Sequence, residues 1–290
     1  MRLSTRLRQM LDEPDIIVLP GAYDALSARL AERAGFNACF TTGFGFAATV
    51  LGMPDFGLLT MSETLDRVRH VVCTINVPLV AYMDTGYGNA LNTVRTVREC
   101  VSLGVAGIIL EDQEWPKKCG HFEGKRVIPA EEHAAKLRAA ADARGDDDLV
   151  IIGRTDARAP LGLEEAIRRG QLYRDSGADV VFIEAPQSID ELKQVVAAIP
   201  DTPLFANMIE GGKTPLLSST ELQELGYKMV VYPLSALFSA AKAVEDTYRT
   251  LFAEKSTATR QDAMVGFEQF EEMIGVPDWR ELESQYAVES

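Results

Sequence analysis

Eight short runs rich in β-branched and aliphatic residues recur along this chain, each followed by an amphipathic segment. That alternation constrains the fold more than any other feature. The runs are Ile16–Leu19, Ala38–Thr42, Pro78–Met83, Gly107–Glu111, Leu149–Gly153, Val180–Glu184, Pro203–Asn207 and Met229–Tyr232. Most are apolar throughout rather than alternating, as expected of strands covered on both faces in a parallel sheet. Helical periodicity fills the intervals at Asp24–Ala34, Ser62–Thr74, Leu91–Leu103, Pro129–Ala143, Leu163–Ser176, Ile189–Ile199 and Ser219–Leu225. Gly35, Gly104 and Gly177 stand just past three of these segments, where chains commonly leave a helix. Eight strand–helix units over about 250 residues predict an α/β fold of the (β/α)8 TIM-barrel type. A doubly wound sheet would stop nearer about six strands, and no GxGxxG follows the first run.

No low-complexity linker divides the 290 residues. Residues 1–255 are expected to form the catalytic barrel and residues 256–290 a helical appendage. Ser235–Glu254 and Arg260–Ile274 are helical beyond the needs of a closed barrel, which predicts packing on a neighbouring subunit. With 29 Lys+Arg against 43 Asp+Glu, the formal charge of −14 opposes binding to a phosphate backbone. No apolar run approaches the ~18 residues of a membrane span. Met1–Asp12 is charged and helix-periodic, without the apolar core of a secretory leader. The four cysteines, Cys39, Cys73, Cys100 and Cys119, form no CxxC pair, so neither a zinc site nor a disulfide framework is expected. These features together predict a cytoplasmic enzyme of small molecules, with no nucleic-acid or membrane partner.

In such a barrel, chemistry collects where strands run into the following loops. The polar residues there are Asp24, Thr42-Gly43, Asp84, Glu111-Asp112, Arg154, Asp156, Glu184, Asn207, Glu210 and Ser235. A single carboxylate at such a place often only caps the next helix. Acids at four or more strand ends point instead to a divalent cation, its waters, or proton transfer. Arg154 is expected to clamp a substrate carboxylate with its two-pronged guanidinium. The segment Trp115-Pro-Lys-Lys-Cys-Gly-His121 reads as a loop, and its lysines and histidine favour an exposed, titratable thiol at Cys119. Cys39, Cys73 and Cys100 are expected as small buried apolar groups. His70 and His133 lie on helical segments and read as structural.

At these residues the sequence resembles the isocitrate lyase/phosphoenolpyruvate mutase superfamily. The resemblance is carried by Pro20-Gly-Ala-Tyr-Asp24, Leu51-Gly-Met-Pro-Asp55, Asp84-Thr-Gly-Tyr-Gly-Asn89, Glu111-Asp-Gln113, Lys117-Lys-Cys-Gly-His121, Arg154-Thr-Asp156 and Tyr232-Pro-Leu-Ser235. The Lys-Lys-Cys-Gly-His motif marks its carbon–carbon lyase branch, and the chain length resembles 2-methylisocitrate or 2,3-dimethylmalate lyases. The resemblance implies Cys119, His121, Lys117 and Glu111 as catalytic residues, with Lys117–His121 forming a lid and Cys119 as general acid. It implies Thr42, Gly43, Phe44, Gly120, Arg154, Glu184 and Asn207 as substrate contacts. It further implies Asp84, Asp55 and Glu111 around a magnesium ion, and a tetramer that exchanges a C-terminal helix between barrels. One position departs from the pattern: Tyr82 stands where the family's Asp-x-Asp-x-Gly motif has its direct metal ligand. A neutral phenol is a poor magnesium ligand beside a carboxylate.

The reaction implied is cleavage of a 2-hydroxy di- or tricarboxylate to pyruvate or a related 2-oxo acid plus a carboxylate. Phe40, Phe44, Trp115 and Leu234 are expected round the C3 substituent, and an apolar pocket of Phe44 and Trp115 favours dimethylmalate over methylisocitrate. Alternatives are an oxaloacetate decarboxylase or phosphonopyruvate-type enzyme on the same barrel, and a dicarboxylate binder without turnover. The base is not assigned by the sequence, and Tyr82 is a candidate for it.

Overall fold

The apolar runs become strands in the order in which they occur. The computed structural model describes residues 1–120 and 124–287. Among them, β1 (Ile17–Ala22), β2 (Cys39–Thr41), β3 (Leu79–Tyr82), β4 (Gly107–Glu111), β5 (Val150–Thr155), β6 (Val180–Ile183), β7 (Leu204–Asn207) and β8 (Met229–Tyr232) form a closed parallel barrel in sequential order. The ring closes where Ile17–Pro20 pair with Met229–Tyr232.

Both faces of the strands are buried, which explains why the runs are apolar without alternation. Inward side chains, among them Leu19, Phe40, Val80, Ile109, Ile152 and Phe205, pack together in the barrel interior. Outward ones such as Ala81, Ile108, Leu110 and Ile151 pack with Leu65, Val68 and Leu137 of the surrounding helices. On the far side, Val181, Leu204 and Val230 meet Leu192, Val195 and Leu222. Each fully buried aliphatic side chain of this kind contributes about 1.5–3 kcal/mol. The helix Leu3–Asp12 inserts Leu7 and Met10 into the interior cluster. Arg8 of that helix donates to the carbonyls of Asp148 and Leu149, so it covers the end of the barrel where the strands begin.

Helix boundaries follow local chemistry. Asp24 accepts from the Ser27 backbone N–H at 2.7 Å and begins the helix Ala25–Arg33, so this strand-end acid is a cap rather than part of the site. Thr60 with Glu63, Asn89 with Asn92 and Ser218 with Glu221 make reciprocal capping boxes for three further helices. Gly104 ends the helix Ala90–Leu103 at φ 80°, a conformation open to glycine without a Cβ penalty. Cys73 caps the C-terminus of the helix Met61–Val72 on its solvent side and is exposed, contrary to the expectation of burial.

The chain falls into two compact units, Met1–Ala236 and Leu237–Ser290. The sequence suggested an appendage of 256–290, whereas the second unit takes in most of the uninterrupted helix Ser235–Glu254. The expected helix Arg260–Ile274 is broken: a 3-10 turn at Ala258–Ala263 is followed by Phe267–Ile274. A further helix, Val276–Gln285, follows Gly275 and accommodates Pro277 in its first turn, where no intrahelical N–H is needed. No helix of the described residues is long and apolar enough to cross a membrane.

Candidate active site

The parallel register brings acids and bases of distant segments to one end of the barrel. Glu111 ends β4 opposite Arg154 of β5, and Asn207 ends β7. Asp84 follows β3 at φ 49°. Tyr82, in β3, points inward beside Phe40, and its hydroxyl donates to Glu111 Oε2 at 2.5 Å. Burial, reinforced by neighbouring acids against the opposing Arg154, keeps the Tyr82 phenol protonated far above its ordinary range. Burial also pushes the Glu111 carboxyl up to about 8, although Arg154 opposes it. The other Glu111 oxygen, Oε1, is buried with no hydrogen-bond partner among the described residues.

Arg154 is already engaged by carboxylates. Its Nε and Nη2 grip Asp156 at 2.8 and 3.0 Å, Nε lies 3.3 Å from Glu111, and Nη1 lies 3.5 Å from Glu184. The bidentate fork expected to hold a substrate carboxylate is therefore taken by Asp156, two residues along the same strand end. Burial alone would raise Asp156, but Arg154 and Lys125 outweigh it and hold the acid ionised. Lys125 Nζ lies 2.8 Å from Asp156, and the Asp156 N–H donates to Asp112 at 2.8 Å. Asp112 in turn accepts from Thr155, Arg169 and Tyr173, a buried network that fixes β4 against β5.

The loop after β4 folds over this arrangement. Gln113 brackets Lys118, accepting from its N–H and donating to its carbonyl, each at 2.9 Å. Cys119 N–H donates to the Asp55 carbonyl, and Lys125 Nζ donates to the Gly120 carbonyl. A Cβ on Gly120 would lie 2.5 Å from Arg154 Nη2 and 2.8 Å from the Glu184 carboxylate, so only glycine fits against them. Lys117 turns inward: its ammonium, 1% exposed, lies 2.6 Å from Asp55 and 3.0 Å from Asp84. Burial opposes that charge, but Asp84, Asp55 and Glu111 outweigh it and hold Lys117 protonated. His121 lies outside the described residues.

These walls enclose a cavity of about 50 Å³. Of the residues expected from sequence, Thr42, Gly43, Phe44 and Asp55 line one side and Cys119, Gly120, Arg154 and Asn207 another. Thr42 also caps the short helix Gly43–Phe46, accepting from Gly45 N–H. Tyr82 lies between the cavity and Glu111. Lys117 and Asp84 sit beneath it, and Glu184 stands behind Asn207, which donates to it at 3.2 Å. The remaining wall is apolar, with Phe182, Phe205, Ile209, Val231 and Leu234. Trp115 is not part of that wall, because it stacks near Tyr87 and is 48% exposed. Lys125, which also holds the loop, left no sequence signal as a site residue, since its partners are Asp156 and the loop backbone.

The residues expected to surround magnesium do not form a fitting donor set. Magnesium asks for near-octahedral oxygen donors at about 2.0–2.1 Å. Here an ammonium already occupies the gap between Asp55 and Asp84, and the direct-ligand position holds a protonated phenol that donates to Glu111. The Tyr82 ring also fills the adjacent volume, for a Cβ on Gly43 would lie 2.7 Å from it. No group of three or more His, Cys, Asp or Glu side chains suited to a metal occurs among the described residues.

Comparison with known proteins bears on the family and the fold. The chain is 46% identical over 290 residues to a chloroplastic carboxyvinyl-carboxyphosphonate phosphorylmutase of Arabidopsis thaliana, covering 99% of this chain and 85% of the relative. It is 44% identical over 287 residues to a 2,3-dimethylmalate lyase of Eubacterium barkeri, covering 99% of each. The solved structure of an oxaloacetate acetylhydrolase with 3,3-difluorooxalacetate superposes with a TM-score of 0.94 at 34% identity, covering 100% of this chain and 98% of that one. The sequence profile of phosphoenolpyruvate phosphomutase matches residues 7–252. The chain belongs to the phosphoenolpyruvate phosphomutase family, within the isocitrate lyase/phosphoenolpyruvate mutase superfamily.

Proposed function

We propose that this protein is a carbon–carbon lyase that cleaves a 2-hydroxy dicarboxylate bearing apolar substituents, of the 2,3-dimethylmalate type, to pyruvate or a related 2-oxo acid and a carboxylate. The observation that carries this reading is a single cavity lined by both Cys119 and Arg154 and closed on its far side by Phe182, Phe205, Val231 and Leu234. The apolar wall favours methyl substituents over the third carboxylate of a methylisocitrate, which would be buried there without a cation. Cleavage breaks the C2–C3 bond as the C2 hydroxyl loses its proton and becomes a carbonyl. The electron pair moves onto the departing fragment as a carboxylate enolate. That dianion is a poor leaving group, so donors and positive charge must face its oxygens.

Arg154 supplies that charge at the cavity wall, and the Thr42 and Gly43 backbone supplies the turn on which the oxo-acid end rests. The Cys119 thiol donates its proton to the enolate carbon. The Tyr82–Glu111 pair is the proton acceptor: Tyr82 takes the substrate hydroxyl proton as its own passes to Glu111 along their 2.5 Å hydrogen bond. Closure of the loop holds water out of the cavity and strengthens these interactions. No step is routed through magnesium, because the donor set does not fit it.

Four thiols, none disulfide-bonded among the described residues, suit a reducing compartment such as the cytoplasm. A homotetramer with exchanged C-terminal helices is supported by the apolar side chains that the second unit exposes, among them Phe252, Phe267 and Trp279.

Incubation with 2,3-dimethylmalate, 2-methylisocitrate, oxaloacetate and phosphonopyruvate, followed by product analysis, tests the reading. Pyruvate from dimethylmalate is expected, and Cys119→Ser is expected to lose about 10²–10⁴-fold in turnover with an unchanged Tm. Turnover of oxaloacetate or phosphonopyruvate alone establishes the alternative enzymes, and thermal stabilisation by these acids without any product establishes a binder.

A further inference from the structure

We propose that the Lys117 ammonium is the resident cation of this site, standing in for a divalent metal ion, so that acids bind in the cavity without one. The proposal rests on the lyase reading only for the class of acid bound. Lys117 reaches under the cavity from the loop above, and its Nζ contacts both Asp55 oxygens, at 2.6 and 2.7 Å, and Asp84 Oδ1 at 3.0 Å. Three donors on one ammonium are thereby matched by three carboxylate oxygens, which satisfies the group completely.

The third side of this position is the Tyr82 ring. Lys117 Nζ lies 4.8 Å from its centroid, and the Arg154 guanidinium carbon lies 5.5 Å from it. The ring is thus flanked by two cations, an arrangement that its negative faces stabilise. A hydrated divalent ion entering here would have to expel the ammonium from a fully buried pair and push aside a ring that already touches Gly43. It would gain no carboxylate at position 82 in return. Aspartate there would supply a charged oxygen donor and vacate the ring volume together. The same loop that carries Cys119 to the cavity thus carries the cation that balances Asp55 and Asp84 in the floor. What a bound acid meets directly is Arg154, which lines the cavity while Lys117 lies below it.

Manganese(II) serves as a spectroscopic probe for magnesium. In titrations of the whole protein followed by electron paramagnetic resonance, the free-ion signal is expected to persist undiminished through submillimolar manganese. Tyr82→Asp is expected to quench it with at least about tenfold tighter binding. In parallel, calorimetry with oxalate as the acid should give the same affinity in chelator-treated buffer and in millimolar magnesium. Stoichiometric manganese uptake by the wild-type protein, or an oxalate affinity raised about tenfold or more by magnesium, overturns the proposal. Should Tyr82→Asp fail to fold, the wild-type titration decides by itself. Neither readout uses turnover, so failure of the lyase reading leaves the manganese result standing, and failure of the cation proposal leaves product analysis standing.

Discussion

Glu111 shows how far a residue's role depends on what surrounds it. In the sequence it is one acid among several at strand ends. In the fold it is sealed beneath Tyr82, and burial pushes its carboxyl up to about 8. As proton acceptor it must be ionised, so turnover is expected to rise as pH passes through about 8. Glu111→Gln should remove that limb of the pH–rate profile along with most of the rate. Stability carries the opposite sign. The folded state holds this proton up to about pH 8, whereas the unfolded chain releases it near about 4.3. Glu111 therefore contributes most below the lower value, and its contribution is lost as pH rises through the higher one. Thermal melts across that window should show wild-type Tm falling relative to Glu111→Gln. A flat difference between the two would disprove the assigned burial of the proton. Burial pushes the Cys39 and Cys100 thiols up to about 12, outside the range of an acid useful near neutrality, and of the four cysteines it is Cys119 that lines the cavity.

At the scale of elements, the described parts of the loop after β4 are held to the barrel at several points. Gln113 holds its entry, Lys125 its exit and Lys117 its underside. Gly120 is its point of closest approach to the barrel. Gly120→Ala would force a methyl group against Arg154 and Glu184, lifting the loop by an ångström or so. Displacement of that size costs on the order of 10²-fold in rate. The expected result is such a loss in kcat/KM with far-ultraviolet circular dichroism unchanged, and near-normal kcat/KM would show that the loop does not close on Arg154. The loop character of Lys117–Gly120 was legible from Pro116 and Gly120, whereas its reading as a lid came from the family resemblance alone. That Lys117 turns down into the floor while Cys119 faces the cavity was not legible, because consecutive loop residues have no fixed period from which to read direction.

At the scale of the molecule, the barrel unit and the C-terminal unit divide the work. The first holds three buried apolar clusters, whereas the second displays Phe252, Phe267 and Trp279 with exposures of 70–80%. A surface of that kind is normally covered in an assembly. Light scattering is expected to give about four times the 31.8 kDa of one chain. The double variant Phe252→Glu/Trp279→Glu should lower that mass. A wild-type mass equal to a single chain would refute the assembly. The acidic net charge of −14 is not offset by free cations in the site, because Arg154 and Lys117 are each paired with carboxylates there.

The sequence by itself determined the barrel. Eight apolar runs separated by amphipathic segments have hardly another way to bury both faces of every strand, and the runs at Ile16–Leu19 through Met229–Tyr232 are strands within one to three residues. It also determined the family, through motifs that survive as contiguous letters, and it marked Tyr82 as the odd residue. Only the tertiary structure decided what Tyr82 does, because its partners Glu111, Lys117 and Arg154 lie 29, 35 and 72 residues away. It likewise gave the Arg154 fork to Asp156 and moved Trp115 out of the cavity. Periodicity along a chain reports which face of a strand or helix is buried. Which charges meet in the buried space depends on distances across the barrel, and those exist only once it has closed.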